Sequence, residues 1–404
     1  MKVTQTNKIF VMKKVALLVG LAAALGFNNA EAADWNWKGD VRERWEYQRT
    51  DKTTDITPAA SSSRARTRVR LGVYPWINDE LSGGVQLATG SDTPGETISR
   101  NQNFGSLFQP KSFYLNEEFI DYHPRSYGLD GKMNIIVGKR DITNTIIRVD
   151  NLVYDGDLTI EGATLQYGKD ADGKEKDGLI VIAGYYLLNS WSSNTVADPV
   201  LYLVQGAYKG EINDIGYTVG AGYNNYAQIN NLSTAGDKGS VGTNPAAGTY
   251  YAAPPVALYQ TSGYKIVELF GKVNGQITET LPWKIYAQYA FNSASHATYA
   301  SIDDNQKNAW LAGVTIGDTN QVGNWAIDLK YDRIERDAVF PLFTDSDRKV
   351  NGTIYNVQGL EIAGTYHLVQ NMNIGARYYH YKNIVPAAGD PTLNQFQLDA
   401  VVKF

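Results

Sequence analysis

Alternation of apolar and polar side chains is the feature that most limits what this chain can fold into, and it is clearest at the C-terminal end. Between residues 396 and 404 every second side chain is apolar, and the side chains between them are mostly polar. A repeat of two residues is the period of a β-strand with two different faces. The same repeat recurs beyond residue 33, where apolar residues with helical spacing are hard to find. The sequence therefore predicts an all-β fold.

The N-terminal segment has the pattern of a secretory signal peptide. Lys13 and Lys14 precede an apolar run at residues 15–27, and an A-x-A cleavage site follows at residues 30–32. We therefore predict that residues 1–32 are a signal peptide and that the mature chain is exported.

The rest of the chain, residues 33–404, is predicted to be a single domain. Met1 and Met12 are equally good starting points for the segment that precedes it. The longest apolar run of the sequence has 13 residues, which is too short to span a bilayer as a helix. The sequence therefore excludes a helical membrane protein, and any membrane role must use strands.

The alternation divides the region beyond residue 33 into sixteen predicted strands. The connections between them are long and short in turn, beginning with a long one, so that there are eight long loops and seven short turns. This arrangement is typical of an even-numbered antiparallel barrel with both chain ends on the side of the short turns. We place the strands near residues 35–48, 64–76, 81–90, 112–122, 132–140, 158–167, 179–188, 199–208, 215–226, 264–275, 283–292, 308–317, 324–333, 356–366, 372–381 and 394–404.

Alternation alone does not say whether the apolar face covers a core or faces lipid, so a soluble β-sandwich competes with a membrane barrel. Three features favour the barrel. The signal peptide exports the chain, the 372 residues after residue 32 (404 minus 32) exceed what one sandwich needs, and no helical layer is available to cover so much sheet. In addition, aromatic residues stand at predicted strand ends, where the interfacial girdles of membrane barrels lie: Trp35, Trp37, Trp283, Phe291, Trp325, Tyr331 and Phe404.

The composition removes several classes of function. The chain has no cysteine, and therefore no disulfides, thiolate nucleophiles or Cys-ligated metals. With 37 basic and 42 acidic residues its net charge is −5, which provides no basic balance with which to bind nucleic acid. No nucleophile elbow or phosphate-binding loop occurs, and the sequence predicts no cofactor and no catalytic residue. The four histidines lack metal-ligand spacing and predict no metal site: they are His123, His296, His367 and His380.

The terminal strand and three short segments resemble known families. The strand that ends in Phe404 looks like the terminal signature of bacterial outer-membrane barrels, which serves as their assembly signal. The whole chain beyond the signal peptide resembles the outer-membrane porins. Segments 66–71 (Arg-Thr-Arg-Val-Arg-Leu), 87–91 (Leu-Ala-Thr-Gly-Ser) and 137–140 (Val-Gly-Lys-Arg) are similar to segments of the putative-porin family, with a fainter similarity to alginate-export channels.

The resemblance has implications for place and activity. It implies a Gram-negative outer membrane, in which lipid and lipopolysaccharide surround the barrel, and insertion by the barrel-assembly machinery. It implies passive diffusion of small solutes or ions, and it allows a homotrimer. It implies no particular solute.

Arginines line one face of the second predicted strand. Four of them alternate with uncharged residues, so their guanidinium groups are each about 7 Å from the next, and the preceding strand adds two more. An arginine at mid-depth on the lipid-facing side would cost about 2–4 kcal/mol, so all six are predicted to face the lumen. These residues, which we call the Arg wall, are Arg42, Arg44, Arg64, Arg66, Arg68 and Arg70.

Two interpretations of the Arg wall are open from the sequence. A row of guanidinium groups in a narrow water-filled channel attracts and orients anionic solutes. Alternatively, carboxylates such as Asp40 and Glu46, or others from neighbouring strands and an inward loop, neutralise the row and make it a structural network. Both interpretations can hold in one barrel.

The long connection from Asp141 to Asp157 carries too many apolar residues for a freely solvated loop. We therefore expect it to pack against another part of the protein. Folded into the lumen, it would bring charged side chains opposite the Arg wall and constrict the channel; the alternative is a cap on the extracellular side. The charged candidates are Asp141, Arg148, Asp150, Asp155 and Asp157.

Three functions remain for such a barrel. A passive diffusion channel is favoured, because most predicted strands have a polar and charged lumen face. The alternative is a non-conducting scaffold that docks a partner or an export component. A barrel enzyme that uses His380 or His296 at the rim has the least support, because no paired acid or hydroxyl can be identified.

Overall fold

In the computed structural model the described residues begin at Asp34, next to the start of the first predicted strand. The predicted signal peptide, residues 1–32, and most of the longest connection, residues 230–262, lie outside the described residues. The structure describes residues 34–51, 60–91, 97–126, 129–190, 197–229, 263–294, 306–350, 354–385 and 391–404. Within these ranges no helix is long and apolar enough to cross a membrane.

Strands make up nearly all of the regular structure in these ranges. They are β1 (Asp34–Thr50), β2 (Ala60–Asn78), β3 (Leu81–Thr89), β4 (Gln102–Asn103), β5 (Phe113–Tyr122), β6 (Met133–Asp141), β7 (Thr159–Tyr167), β8 (Gly178–Leu187), β9 (Val200–Ile212), β10 (Ile215–Ala227), β11 (Tyr264–Thr278), β12 (Leu281–Asn292), β13 (Asn308–Gly317), β14 (Trp325–Ile334), β15 (Val357–Val369), β16 (Met372–Asn383) and β17 (Thr392–Lys403).

The strands form one closed antiparallel barrel. Each strand of the wall pairs with its neighbours in the chain, and β17 pairs with β1, so the sheet has no free edge. The two-residue β4 only adds to the upper part of β2, and the other sixteen strands form the wall. The prediction of a sixteen-stranded antiparallel barrel is therefore confirmed, and the observed strand ends differ from the predicted ones by four residues at most.

The two faces of the wall differ as the alternation predicts. On β1, Arg44 and Glu46 point inwards and are buried, whereas Trp45 between them points outwards and is 42% exposed. The same pattern continues around the barrel, so that large apolar side chains cover its outer surface. Such an outer face matches a hydrocarbon environment rather than water.

The barrel closes at a seam between β1 and the end of β17. The backbones of Gly39 and Phe404 exchange two hydrogen bonds, of 2.8 and 3.1 Å. The ring of Phe404 lies so close to Gly39 that a Cβ atom there would be 2.7 Å from it. The same Cβ atom would lie 2.5 Å from the backbone oxygen of Arg70 on β2, so the seam favours glycine at position 39.

Two long connections fold into the lumen instead of over it. Loop A (residues 142–158) begins with a single helical turn, α1 (Ile142–Thr145), and loop B is the described part of the connection between β14 and β15 (residues 335–350 and 354–356). Their apolar side chains share one buried cluster with side chains of the barrel wall, most of which lie on β8 to β13. In this cluster the ring of Phe340 from loop B lies 4.8 Å from that of Tyr226 on β10.

Candidate functional site

The Arg wall forms one inner face of the lumen on β1 and β2. The register of these strands places Arg42 opposite Arg68 and Arg44 opposite Arg66, so four guanidinium groups crowd together at the centre of the wall. The same register places Asp40 opposite Arg70 and Glu46 opposite Arg64, so each end of the row begins with a carboxylate. Like charges placed directly opposite are unfavourable in a sheet unless other groups compensate them.

Carboxylates from the wall itself compensate part of this charge. Arg44 forms a bidentate ion pair with Asp399 on β17, in which it donates hydrogen bonds of 2.7 and 2.8 Å to the two carboxylate oxygens. Asp40 accepts hydrogen bonds from Arg68 at 2.8 Å and from Arg70 at 2.5 Å. The end of β1 supplies one more acid, because Glu46 binds both Arg64 and Arg66.

Each inward loop adds one further carboxylate to the Arg wall. Asp157 of loop A lies 3.0 Å from Arg68 and 3.5 Å from Arg70. Asp347 of loop B lies 3.3 Å from Arg44. Five of the six guanidinium groups are thus in contact with five carboxylates, which are Asp40, Glu46, Asp157, Asp347 and Asp399.

Arg42 is the member of the Arg wall that differs from the rest. Its guanidinium group donates one hydrogen bond of 2.7 Å to the side chain of Asn101, and no carboxylate of the described residues lies within ion-pair distance of it. Arg68 opposite it and Arg44 two residues along the strand are both cations. Arg42 therefore carries the positive charge that the wall's own carboxylates leave uncompensated.

Loop A is held in place by hydrogen bonds from its own helix cap, from Lys169 and from strand β9. Asp141 caps α1 by accepting a hydrogen bond of 2.8 Å from the backbone of Thr143. The buried ammonium group of Lys169 donates to the carbonyl of Ile146 at 2.8 Å, and Gln205 on β9 binds both the N–H and the C=O of Ile147. A loop with its backbone groups satisfied in this way is a fixed part of the lumen.

The charged residues of loop A take different positions. Asp157 touches the Arg wall, whereas Asp150 forms an ion pair of 2.9 Å with Lys330 on the other side of the lumen. Arg148 binds Asn151 within the loop. Asp155 lies against loop B, where its N–H donates to the carbonyl of Phe343 at 2.7 Å. The five sequence-predicted loop residues therefore do not form one cluster.

Loop B is a part of the site that sequence reasoning missed. Arg348 is fully buried there between Asp332 on β14, at 3.4 Å, and Asp345, at 3.7 Å. It also donates a hydrogen bond to the carbonyl of Asn151 in loop A, so it joins the two loops. An apolar run at residues 338–343 could have indicated that loop B packs inside the protein, because apolar content is what predicted the packing of loop A.

The acidic groups of the two loops differ in their ionisation. Burial favours the protonated form of Asp157, but Arg68 and the other wall arginines outweigh it and hold the pKa of Asp157 well below its usual range. Arg44 likewise outweighs burial and lowers the pKa of Asp347. At Asp155, burial reinforced by Asp345 and Asp157 raises the pKa to about 8. Asp157 and Asp347 are therefore anions at pH 7, and Asp155 is neutral.

The three histidines of the described residues take no part in this arrangement. His123 is buried at the turn end of β5 against Trp76, and the ring nitrogens of His367 and His380 lie near a backbone carbonyl and Asn394, respectively. His296 lies outside the described residues. Among the described residues no group of three or more His, Cys, Asp or Glu side chains is placed to hold a metal ion.

A family model for putative porins matches residues 27–253 and 262–404. The chain belongs to the putative-porin family. The match covers nearly the whole sequence, and it confirms the resemblance that the terminal strand and the short segments indicated. The protein is therefore an outer-membrane β-barrel of the porin type, and both family and fold indicate a channel rather than an enzyme.

Solved porin structures are similar to this chain at low sequence identity, and the first of them, with a TM-score above 0.5, shows the shared fold. OprB of Pseudomonas putida, at high pH, is 10% identical with a TM-score of 0.54, over 92% of this chain and 94% of that one. The channel DcaP of Acinetobacter baumannii is 13% identical with a TM-score of 0.49, over 94% and 99% of the two chains. OmpF of Salmonella typhi, in complex with daunomycin, is 13% identical with a TM-score of 0.48, over 92% and 98%. No curated protein sequence matches the chain.

Proposed function

We propose that this porin is a passive diffusion channel for small hydrophilic solutes, and that its narrow section is the gap between the Arg wall and loops A and B. The observation that carries the proposal is that both loops reach the wall, through Asp157 and Asp347. The path between them is lined by charged groups that are partly open to solvent, such as Arg70, Asp157 and Asp399. Charged walls on both sides of a narrow gap are the usual selectivity element of a water-filled pore.

A weak preference for anions follows from the charge balance of this gap. Most of the Arg wall is neutralised, which supports the structural interpretation of these pairs. Arg42 supplies the remaining positive charge, and it does so beside two other cations. An uncompensated cation in a narrow channel with low-dielectric walls raises the local concentration of anions.

The test is the reversal potential of the purified protein in a planar bilayer under a salt gradient. We expect stepwise conductance with anion preference, and a loss of that preference in Arg42→Ala. The matched control is Arg125→Ala, which removes the same charge from an exposed turn where Arg125 pairs with Asp79. An anion preference that survives in Arg42→Ala would contradict the role of Arg42. A folded barrel that never conducts would contradict the channel itself and favour the scaffold that docks a partner.

We also propose that the barrel forms a homo-oligomer through the outer face around β1 to β7. Support comes from charged side chains that point outwards within the apolar band. Glu43 on β1 accepts a hydrogen bond of 2.9 Å from the hydroxyl group of Thr67. Further along this face Glu118, Lys139 and Glu161 form a row across β5, β6 and β7. Charges on a lipid-facing surface are unfavourable, whereas a protein surface can satisfy them.

Two further features, on or next to this face, fit a second copy of the chain. A groove of about 800 Å³ crosses the outside of β14 to β17, β1 and β2, and small residues such as Gly364, Ala376 and Ala400 line it. Above it, the loop between β4 and β5 exposes Leu107 and Phe108 almost completely. Exposed apolar patches of this kind mark interaction surfaces.

The mass of the detergent-solubilised protein tests this interface. We expect an oligomer for the native chain and a monomer for the double variant Leu107→Asp and Phe108→Asp. Val385→Asp, at an apolar and half-exposed position on another extracellular loop, is the control and should keep the native mass. A native mass for both variants would show that this loop does not hold the copies together. Contacts with lipopolysaccharide and insertion by the barrel-assembly machinery with Phe404 as the signal remain predictions.

A further inference from the structure

The connection between β7 and β8, residues 168–177, is long for the end of the barrel that carries the short turns. In outer-membrane barrels this end faces the periplasm. The connection between β9 and β10 on the same side consists of Asn213 and Asp214 alone. Residues 168–177 instead continue the hairpin beyond the wall, with a bridge between Lys169 and Glu175. Asp170 closes the tip, because its side chain accepts a hydrogen bond of 2.8 Å from the backbone N–H of Lys174.

This turn reaches two nearly opposite walls of the lumen. At its tip Asp172 lies 3.6 Å from Lys38 on β1, and Glu175 lies 2.9 Å from Lys272 on β11. Along the ring of sixteen wall strands β1 and β11 are nine neighbours apart, where eight would be diametrically opposite. A single turn that contacts both must lie across the mouth of the barrel.

The turn also supports loop A from below. Lys169 binds the carbonyl at the end of α1, and Gly173 faces Asn144 so closely that a Cβ atom would lie 2.7 Å from its backbone. Gly173 has φ = +82°, a conformation that favours glycine. The turn and loop A therefore form two successive layers across one lumen, with no open space between them at this point.

A narrow opening remains beside the turn, towards β2 to β6. It is a cavity of about 120 Å³ between the tip of the turn and the inner wall. Three aromatic rings and four charged side chains line it, and two of the charged ones, Lys38 and Asp172, meet at the tip of the turn. The lining residues that matter here are Tyr74, Trp76, Phe119, Glu117 and Arg140.

We propose that residues 168–177 form a second constriction at the periplasmic mouth, in series with the gap at the Arg wall, and that this turn sets the size limit for solutes that leave the barrel. The inference rests on the proposed channel function. It assigns a size-determining role to a turn on the periplasmic side, whereas the Arg wall and loops A and B act by charge.

The first test shortens the tip, by replacing Asp170–Lys174 with Asn-Gly so that Lys169 still holds loop A. Two comparable resistances in series become one, so we expect the single-channel conductance to rise about twofold. Liposome swelling with neutral pentose, hexose and disaccharide should show the largest gain for the disaccharide. Unchanged conductance and an unchanged order of sugar rates would overturn the proposal.

A second test leaves the fold untouched. The chain has no cysteine, so Asp172→Cys introduces a unique thiol beside the opening. A methanethiosulfonate reagent added from the periplasmic side should reduce the current of Asp172→Cys stepwise and leave Asp79→Cys, on an exposed neighbouring turn, unchanged. Equal responses of the two variants would overturn the proposal. A native protein that conducts while both tests fail refutes the second constriction alone, whereas a silent native protein refutes the channel.

Discussion

The two halves of the lumen are built on opposite principles. On one side, around β1, β2 and β17, arginines and carboxylates form an ion-pair network that is partly open to solvent. On the other side, the inner faces of β8 to β13 carry many apolar side chains that pack against loops A and B with almost no exposure. The polar side chains among them, such as Gln205 and Glu268, are buried and hydrogen-bonded to each other. One half of the barrel therefore behaves like a water-filled channel, and the other like the core of a soluble protein.

This difference shows how a rigid constriction can be made from loops. The apolar half anchors each loop by hydrophobic burial, at about 1.5–3 kcal/mol for a fully buried large side chain. The anchored loops then extend single carboxylates, Asp157 and Asp347, to the Arg wall. Apolar side chains therefore hold the loops in place, whereas carboxylates set the charge of the gap. A substitution can remove either property and leave the other intact.

The largest effect is expected from breaking the anchor. Phe340→Ala removes a buried ring from the apolar half, at a cost of about 3–5 kcal/mol. Loop B should loosen, so that single-channel currents become larger and noisier and protease cleaves the loop in the folded barrel. Leu342→Ala, on the same loop but only partly buried, is the control. Quiet currents of native size in Phe340→Ala would show that the apolar half does not hold the constriction.

A smaller effect is expected from changing the charged half alone. Asp157→Asn removes a carboxylate from between Arg68 and Arg70, and the lost charged hydrogen bonds cost about 1.5–3 kcal/mol of loop docking. The gap becomes more positive, so the reversal potential should move further towards anion preference. Asp79→Asn makes the same change outside the lumen and should leave the potential as it is. A shift towards cations would contradict the charge balance described above.

The smallest effect concerns the pH dependence of loop docking. The pKa of Asp155 is raised to about 8 in the folded protein, while an exposed aspartate titrates near 4. When the loops are docked, Asp155 holds a proton that it loses when they are released. Protonation of Asp155 therefore stabilises the docked state, and this stabilisation is complete below about pH 4 and is lost as the pH rises through about 8.

Current fluctuations caused by loop motion check this sign. They should become more frequent between pH 6 and pH 9 in the native protein. In Asp155→Asn, which mimics the protonated group, they should stay rare over the same range. Fluctuations that increase as the pH falls would contradict the raised pKa of Asp155.

The wall of the barrel could be predicted from the sequence because each of its faces has one environment. Alternation fixes whether a residue such as Trp45 or Arg44 points outwards or inwards, and all sixteen predicted strands correspond to observed ones. The strand ends were less certain, since β2 continues as far as Ala60 in a region of serines with no apolar signal.

The contacts inside the lumen could not be predicted in the same way. The apolar content of residues 141–157 indicated packing, but not that Asp157 would meet the wall while Asp150 meets Lys330. Such pairs join residues far apart in the sequence and depend on the path of the loop backbone, which no short-range pattern encodes. The tip of the turn at Asp172 is a similar case, because its partner Lys38 lies on a distant strand.

The closing seam has a consequence for how the protein can be made. Arg44 and Asp399, which bind each other across β1 and β17, are separated by 355 positions in the chain. Contacts between such distant positions form late and slow folding, because closing so long a loop costs entropy before any contact compensates for it. Until the last strand arrives, the first strand keeps an open hydrogen-bonding edge, and Arg44 lacks the nearer of its two carboxylate partners. The final step of assembly therefore completes the sheet and the charge balance of the pore at the same time.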